Sequence, residues 1–409
     1  MHYMKKWLSV AAVVVLCLAL VIGVACGGGE DGGGDGVTEI KLGHAAPQTG
    51  IMGAVAGVPG QRGIELMADQ IGVFDVGGKQ YRWKPIYEDN EGASASGGMA
   101  STTKLIYTNN VDFIVQQGAA AMASQTLCEE SGVLIDLGNA TFNAYGPDHP
   151  YSVQSGPCFT VHLAPFYDFV SREHPEVKRI VVVAYDDPLM IAFVEAFESN
   201  MHEYFGFELK MIRTPLGADP YPIATAAMAE DADLVIASVT YLDVMWDMGY
   251  EGLAAPFGPI ASLAQLEDAG WSDCKGMMFF WPEWYGAAEV WPEAVAFAMD
   301  FEARYGVTMD TIALASGTLL QSLTGALQQA GTVDDIDKIM EAVYSRTPFD
   351  SIVGPMYYGG EAFVGVNCLL MMPVAIWEIV GDNEYELLEY YTPEEAEAIA
   401  VEAWTATMP

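Results

Sequence analysis

Basic residues are scarce in this chain, which has 17 lysines and arginines against 55 aspartates and glutamates and a formal net charge of -38. A surface of that charge repels phosphate backbones and anionic headgroups, so we expect no nucleic-acid partner. The acidic residues form no D-x-D-x-D-G loop of the kind that binds calcium. We therefore interpret the excess of acid as a strongly solvated surface rather than as a store for cations.

Catalytic motifs are also missing. The chain has no G-x-S-x-G elbow, no H-E-x-x-H pair and no Walker loop. The six histidines are scattered, and an isolated histidine such as His44 has no partner to orient it as a general base. We expect a binding protein rather than an enzyme, with no cofactor and no metal.

Cysteines are few, and none forms a C-x-x-C pair, which argues against zinc or redox chemistry. Cys17 and Cys26 belong to the N-terminal apolar run and its end. The other cysteines are compatible with one disulfide or with none, and no pair is favoured; they are Cys128, Cys158, Cys274 and Cys368.

The N-terminus, residues 1–26, has the pattern of an export signal. Lys5 and Lys6 precede an apolar run that ends in small residues at Cys26. This end resembles a bacterial lipobox, in which the cysteine carries the lipid, although Gly23 stands where leucine is usual. An uncleaved membrane helix is the alternative, but a glycine-rich tether at 27–37 favours the lipoprotein form. Either way the rest lies outside the membrane, and we expect an extracytoplasmic, lipid-anchored protein.

Strand and helix patterns alternate through the rest of the chain, which is typical of α/β layers. The central stretch, 111–143, predicts a strand at 111–115, a loop at 116–122, a short helix, a strand at 133–137 and a loop at 138–143. Ligands of parallel sheets lie beyond the carboxyl ends of the strands, so both loops are expected to face one crevice.

The same alternation begins again after residue 160, which predicts a second α/β lobe facing the first. It includes a helix at 190–205 and a strand near 257–260. Later helices lack strands of their own and are placed on the first lobe; they are expected at 291–305, 311–330 and 333–345. A single strand at 369–380 and an acidic helix at 393–407 close the chain.

Several segments in order suggest a family. IKLGHAAPQTG, EDNEGASASGGMASTTKLI, the central stretch and IVGPMYYGG resemble landmarks of type I periplasmic binding proteins, in the branched-chain amino acid-binding, leucine-binding protein-like branch of ABC importers. The resemblance runs from Thr38 to about Val380. It implies two Rossmann-like doubly wound lobes joined by three crossover strands, near 152–158, 279–284 and 352–358.

The resemblance also implies an organisation and a role. An N-terminal lobe would comprise 38–155 and 285–352, and a C-terminal lobe 156–284 and 353–409. The lobes would close on a small organic solute, and the closed form, acting as a monomer, would deliver it to the membrane permease of an ABC transporter. The alternative is a ligand-sensing receptor component that uses the same clamshell.

The family's carboxylate site maps onto the two central loops. A family hydroxyl is replaced here by Ala119 or Ala120, but backbone N–H groups at the helix start could still hold an anion. Thr141 matches the family's threonine, although an ordinary turn hydroxyl is equally compatible. The first-lobe site is expected to comprise Gln117, Gly118, Ala119, Ala120, Asn139, Ala140 and Thr141.

On the second lobe, the family's acidic partner of the α-amino group is replaced by Ile260. A buried ammonium without an anion is costly, so either Asp186 or Asp187 substitutes or the ligand lacks the amino group. Tyr241 matches an aromatic residue that lies against the ligand, and Trp281 either walls the cleft or belongs to the core. The apolar loops favour an aromatic or aliphatic carboxylic acid, or an amide, over a free amino acid.

Overall fold

The computed structural model describes residues 36–138, 140–257, 263–280, 289–382 and 384–408. The predicted signal at 1–26, with Cys26, and most of the tether lie outside the described residues. Within the described ranges, no helix is both long enough and apolar enough to cross a bilayer.

The first lobe is built on a six-stranded sheet with the strand order β2-β3-β1-β4-β5-β6. The strands are β1 (Val37–Ala46), β2 (Phe74–Val76), β3 (Lys79–Asp89), β4 (Phe113–Gln116), β5 (Leu134–Asp136) and β6 (Ser152–Val153). β1, β4, β5 and β6 pair in parallel, so their carboxyl ends share one edge. The connecting helices are α1 (Val58–Ile71), α2 (Ala95–Lys104) and α3 (Gly118–Ser131).

The second lobe is built on a four-stranded parallel sheet with the order β10-β9-β7-β8. Its strands are β7 (Arg179–Tyr185), β8 (Glu208–Thr214), β9 (Leu234–Ala237) and β10 (Leu253–Pro256). β7 is buried from Ile180 onward because helices cover both faces of the sheet. These helices are α4 (Phe159–Glu173), α5 (Ile191–Glu198), α6 (Met201–Tyr204), α7 (Pro220–Met228), α8 (Val239–Asp247) and α9 (Leu263–Ala269).

Two three-stranded sheets hold the remaining strands. One has the order β11-β15-β16, with β11 (Met278–Phe279), β15 (Val374–Gly381) and β16 (Glu384–Tyr391). The other has the order β12-β13-β14, with β12 (Phe349–Ser351), β13 (Gly354–Gly359) and β14 (Leu369–Met371). A bridge between Gln154 and Leu369 links β14 to the segment that leaves the first sheet.

The late helices divide between the lobes. They are α10 (Pro292–Tyr305), α11 (Thr311–Ala330), α12 (Ile336–Tyr344), α13 (Glu361–Val364) and α14 (Pro393–Thr407). α11 packs along α1, as expected for helices that return to the first lobe, and α14 packs on α4 of the second lobe. α11 therefore brings its N-terminus, at Asp310, to the carboxyl edge of the first sheet.

Three of the predicted elements differ from the structure. The predicted loop at 116–122 is mostly helix, since α3 begins at Gly118, where φ is +63°. The predicted helix at 190–205 is broken at Asn200, whose φ of 63° is left-handed and stops helical hydrogen bonding. The strand predicted near 257–260 lies mostly outside the described residues, which stop at Phe257 here, and β10 covers Leu253–Pro256. The strand at 369–380 is two strands, because Met372 and Pro373 separate β14 from β15.

The cysteines that follow the tether are all buried and free. Burial raises the pKa of the Cys128 thiol and of the Cys158 thiol to about 12, because a thiolate loses its hydration there. Of the two alternatives, one disulfide or none, the structure has none among the described cysteines.

Candidate functional site

A cavity of about 330 Å³, which we call the inner chamber, lies where the carboxyl ends of the two sheets face each other. From the first lobe it is lined by Met52, Ala54, Val55, Ala56, Gln117, Asp310 and Ile312. From the second lobe it is lined by Tyr185, Asp187, Leu189, Met190, Phe193, Leu216 and Gln265. A molecule in this chamber therefore contacts both lobes at once.

The first-lobe floor is formed by tight helical turns, Gly50–Met52 and Gly53–Gly57, that follow β1. A Cβ on Gly57 would overlap the Pro47 carbonyl oxygen, so only glycine lets the turn fold back this closely. The close turn places Met52 and Val55 against the cleft, and the floor is apolar.

The second-lobe wall begins at the last residue of β7. The Tyr185 hydroxyl donates to Ser238 Oγ at 2.9 Å, which turns the tyrosine's polar end away and leaves its ring at the chamber. Burial of this hydroxyl raises the pKa of Tyr185 to about 12. Leu189 and Phe193 continue the wall as buried apolar side chains.

Two carboxylates line the chamber, one from each lobe. Asp187 is half-buried, and its Oδ1 accepts the Leu189 N–H at 2.9 Å. Asp310 caps α11 by accepting the Ala313 N–H at 2.9 Å, and burial raises the pKa of Asp310 to about 6. Among the described lining residues there is no lysine, arginine or histidine.

The charge of Arg62 works to lower the pKa of the Asp310 carboxyl. Its guanidinium lies 5.2 Å from the centre of the Tyr305 ring, a cation–π contact that holds it away from the chamber lining. The chamber is therefore apolar and acidic.

A backbone hydrogen bond joins the two lobes beside the chamber. The Ala119 N–H, at the start of α3, donates to the Pro188 carbonyl at 3.0 Å. A Cβ on Gly118 would overlap the same carbonyl oxygen and lie 2.9 Å from Leu189 Cα. The Ala119 N–H, one of the backbone N–H groups at the helix start that were predicted to be able to hold an anion, is bonded to the protein itself in this structure.

A second cavity of about 410 Å³, the outer pocket, lies at Thr141, Asp186, Asp187 and Arg213. It is lined by charged residues that are already paired: Arg213 contacts Glu198 and lies 3.8 Å from Asp186. The Thr141 hydroxyl donates to Asn143 Oδ1 at 2.6 Å, as an ordinary turn hydroxyl does.

The lobes are joined again next to the outer pocket. The Phe142 N–H, on the loop after β5, donates to Glu195 Oε2 of α5 at 2.8 Å. Burial raises the pKa of Glu195, while this N–H bond favours the charged form.

The description of the matching family model is "Periplasmic binding protein", and the match covers residues 39–377 of this chain. The chain belongs to the periplasmic binding protein family. A search of curated proteins gives no match.

Solved structures similar to this periplasmic binding protein share its fold at low sequence identity. A leucine-binding protein from Thermotoga maritima is 17% identical over 87% of this chain and 99% of its own, with a TM-score of 0.68. An ABC transporter substrate-binding protein from Sphaerobacter thermophilus is 20% identical over 87% and 98%, with a TM-score of 0.71. An ABC transporter solute-binding protein from Rhodopseudomonas palustris, in complex with benzoate, is 18% identical over 87% and 97%, with a TM-score of 0.70.

In this periplasmic binding protein the expected site residues occupy different places. Gln117 and Asp187 line the inner chamber, and Thr141 lines the outer pocket. Ala120 and Ala140 are buried, with 0% and 2% of their surface exposed. Three of the expected residues lie outside the described part of the chain; they are Asn139, Ile260 and Trp281.

Tyr241, expected against the ligand, is only 2% exposed and lies behind Tyr185, with 5.9 Å between the two ring centres. Its hydroxyl lies 3.5 Å from Thr214 Oγ1, and it lines neither of the two cavities described above. The tyrosine that borders the inner chamber is Tyr185. Its position at the carboxyl end of the most apolar strand was a signal for this role.

The chamber residues that the sequence did not predict include Asp310 and Met52. Asp310 precedes Thr311 as a helix cap, and nothing local indicates that it also faces the cleft. Met52 lies in the tight helical turns that follow β1. Asp310 lies at the start of α11, which packs on α1, and Met52 reaches the chamber through those turns.

Proposed function

We propose that this protein is an extracytoplasmic solute-binding protein that captures a small organic solute in the inner chamber and delivers it to the permease of an ABC transporter. The observation that carries the proposal is that both lobes line the chamber, so that a bound solute contacts both at once. Such a ligand favours the closed arrangement by its differential affinity for it.

The chamber's size and lining support a small ligand with an apolar body. Its volume of about 330 Å³ lies at the lower end of the range for ligand pockets, about 300 to 1,000 Å³. The described relatives take leucine in one case and benzoate in another, which are ligands of this size class.

The proposal extends to the organisation of the chain. The N-terminal lobe comprises 38–155 and 285–352, and the C-terminal lobe 156–284 and 353–409. Residues 1–26 act as an export signal, and a lipid on Cys26 holds the monomer to the membrane through the tether at 27–37. Within the site, Gln117 and Asp187 contact the solute, and the protein releases it chemically unchanged.

A thermal-shift screen of the mature protein, residues 38–409, tests this function. The probes are leucine, phenylalanine, benzoate, 4-methylpentanoate, phenylacetamide and 2-phenylethylamine. A ligand that binds only the folded state raises the melting temperature with the logarithm of its concentration. Mass spectrometry of the released ligand checks that it is unchanged, and a product would contradict a purely binding role.

Two matched variants assign the binding to the chamber. Val55 lines it and is 45% exposed, whereas Val73 is 52% exposed and lies away from it. V55W would fill the chamber and abolish the ligand-induced shift, and V73W would preserve the shift. Equal shifts in both variants would place the ligand elsewhere.

A further inference from the structure

The charges at the inner chamber are of one sign. Asp187 comes from the loop after β7 and Asp310 from the start of α11, and both line the same cavity. Closing the lobes therefore brings two acidic groups to one apolar space. A ligand that carries a negative charge would add a third anion to it.

The described lining residues include no lysine, arginine or histidine that could compensate a ligand anion. At the α3 N-terminus, the Gly118 N–H donates to the Gly138 carbonyl and the Ala119 N–H to the Pro188 carbonyl. The guanidinium of Arg62 lies over the Tyr305 ring, and that of Arg213 belongs to the outer pocket with its acidic partners. A buried carboxylate without such a partner is strongly disfavoured.

Two stretches of the second half of the chain, 258–262 and 281–288, lie outside the described residues. They read GPIAS and WPEWYGAA, and neither contains a lysine, arginine or histidine.

We propose that the captured solute is an organic cation, an apolar body that carries an ammonium group and no carboxylate, with Asp187 and Asp310 as its counter-charges. This inference rests on the proposed function and names its ligand class. The apolar body contacts Met52, Tyr185 and Phe193, which supply the hydrophobic part of the affinity.

The same arrangement couples ligand charge to closure. Without a cation, closure brings both carboxylates to the chamber with no oppositely charged ligand between the lobes. A bound cation favours closure, because the carboxylates then gain a charged partner in a site of low dielectric. The chain's formal net charge of -38 also raises the local concentration of cations and speeds their capture.

Calorimetric titration with two sets of related compounds tests the inference at pH 7.5. The first set is 2-phenylethylamine, 3-phenylpropionate and phenylalanine. The second is 3-methylbutylamine, 4-methylpentanoate and leucine. Within each set the apolar body is constant and only the ammonium, the carboxylate or both are present. We expect an amine to bind at least about tenfold more tightly than the carboxylate and the amino acid of its set, since an unpaired buried charge costs more than about 1.4 kcal/mol.

Charge-neutral variants identify the counter-charges. D187N and D310N keep an oxygen that can accept the Leu189 and Ala313 N–H groups, so the local folds are retained. Each should weaken amine binding by about tenfold or more. The matched control is D186N, the exposed neighbour at the outer pocket, which should change it by less than about twofold.

The outcomes separate the two proposals. Tighter binding of a carboxylate or an amino acid, with loss of binding in V55W, would overturn the cation assignment and leave the solute-binding function standing. Amine binding that D187N and D310N do not weaken would also overturn it. If no compound of either set binds, both the cation assignment and the assignment of the chamber are wrong.

Discussion

Gly118 controls how closely the two lobes approach. Its φ is +63°, and a Cβ there would overlap the Pro188 carbonyl oxygen, which is bonded to the next residue's N–H. We expect G118A to lose the Ala119 to Pro188 bond and to hold the lobes apart. Ligand affinity should fall by about tenfold or more, because the closed form becomes a minor state. Calorimetric titration measures the loss.

Gly132 is the matched control for this variant. It ends the same helix with a φ of +66°, and an added Cβ would meet nothing within 4 Å. Both variants should lose about 1 to 2 kcal/mol of stability from the left-handed backbone. Only G118A should lose affinity, and a similar loss in G132A would show that the effect comes from helix α3 rather than from the lobe contact.

Asp310 should make amine binding depend on pH. Burial raises the pKa of Asp310 to about 6, so this carboxyl favours the folded state below its unfolded pKa of about 4. That contribution is lost as the pH rises through 6. Ligand binding depends on pH in the opposite sense, because a bound cation favours the ionised form of Asp310. The affinity for the amine should therefore weaken as the pH falls below 6. We expect about tenfold weaker amine binding at pH 5 than at pH 7.5.

The test compares dissociation constants at the two pH values in the wild type and in D310N. An alkylammonium group stays charged throughout this range, so the ligand does not titrate. D310N should bind weakly with a much flatter profile. A wild-type profile without any weakening at pH 5 would contradict a role for Asp310 as a counter-charge.

At the scale of elements, helix α14 is anchored by one buried carboxylate. Glu397 accepts from Arg346 at 3.0 and 2.6 Å, from the Tyr357 hydroxyl at 2.7 Å and from the Gly360 N–H at 2.9 Å. E397A leaves these donors unpaired and should cost about 3 to 5 kcal/mol in urea unfolding. The control is E402A on the exposed face of the same helix, which should cost less than about 1 kcal/mol. Equal losses would show that the buried network adds nothing.

Helices with clear capping residues at both ends could be predicted from the sequence. The predicted helix at 311–330 coincides with α11, because Asp310 caps its start and Gly331, with a φ of 67°, ends it. The hairpin of β2 and β3 was missed although Gly77 and Gly78 form its turn. The sequence did not predict β16 either. Its pattern is half-buried and acidic, and its strand conformation depends on pairing with β15.

The site could be predicted only in part. Residues on the loops that follow the parallel strands could be predicted from the sequence, whereas residues brought to the chamber by tertiary packing could not. The loops after β4 and β7 follow from the rule for parallel strands, and they hold Gln117 and Asp187. The sequence does not show that the Tyr185 ring lies between Tyr241 and the chamber, so it could not predict which of the two tyrosines borders the chamber. That Asp310 and Asp187 line the same chamber depends on packing between segments more than 100 residues apart in the chain.

At the scale of the whole molecule, the two lobes contact each other directly as well as through a solute. The Phe142 to Glu195 bond and the Ala119 to Pro188 bond both cross the cleft. Such contacts favour the closed form before any ligand arrives, and a ligand then pays less of the cost of closure.

Variants of Glu195 test whether direct contacts between the lobes favour the closed form. E195A removes the acceptor of the Phe142 N–H, whereas E195Q keeps an oxygen that can accept it. We expect E195A to enlarge the radius of gyration in ligand-free small-angle scattering and to weaken ligand affinity several-fold, because a smaller fraction of molecules is closed. E195Q should resemble the wild type in both measurements. Saturating ligand should return E195A to the wild-type radius, since the chamber contacts are intact. A ligand-free radius that is the same in all three proteins would mean that the Phe142 to Glu195 bond does not set the position of the lobes.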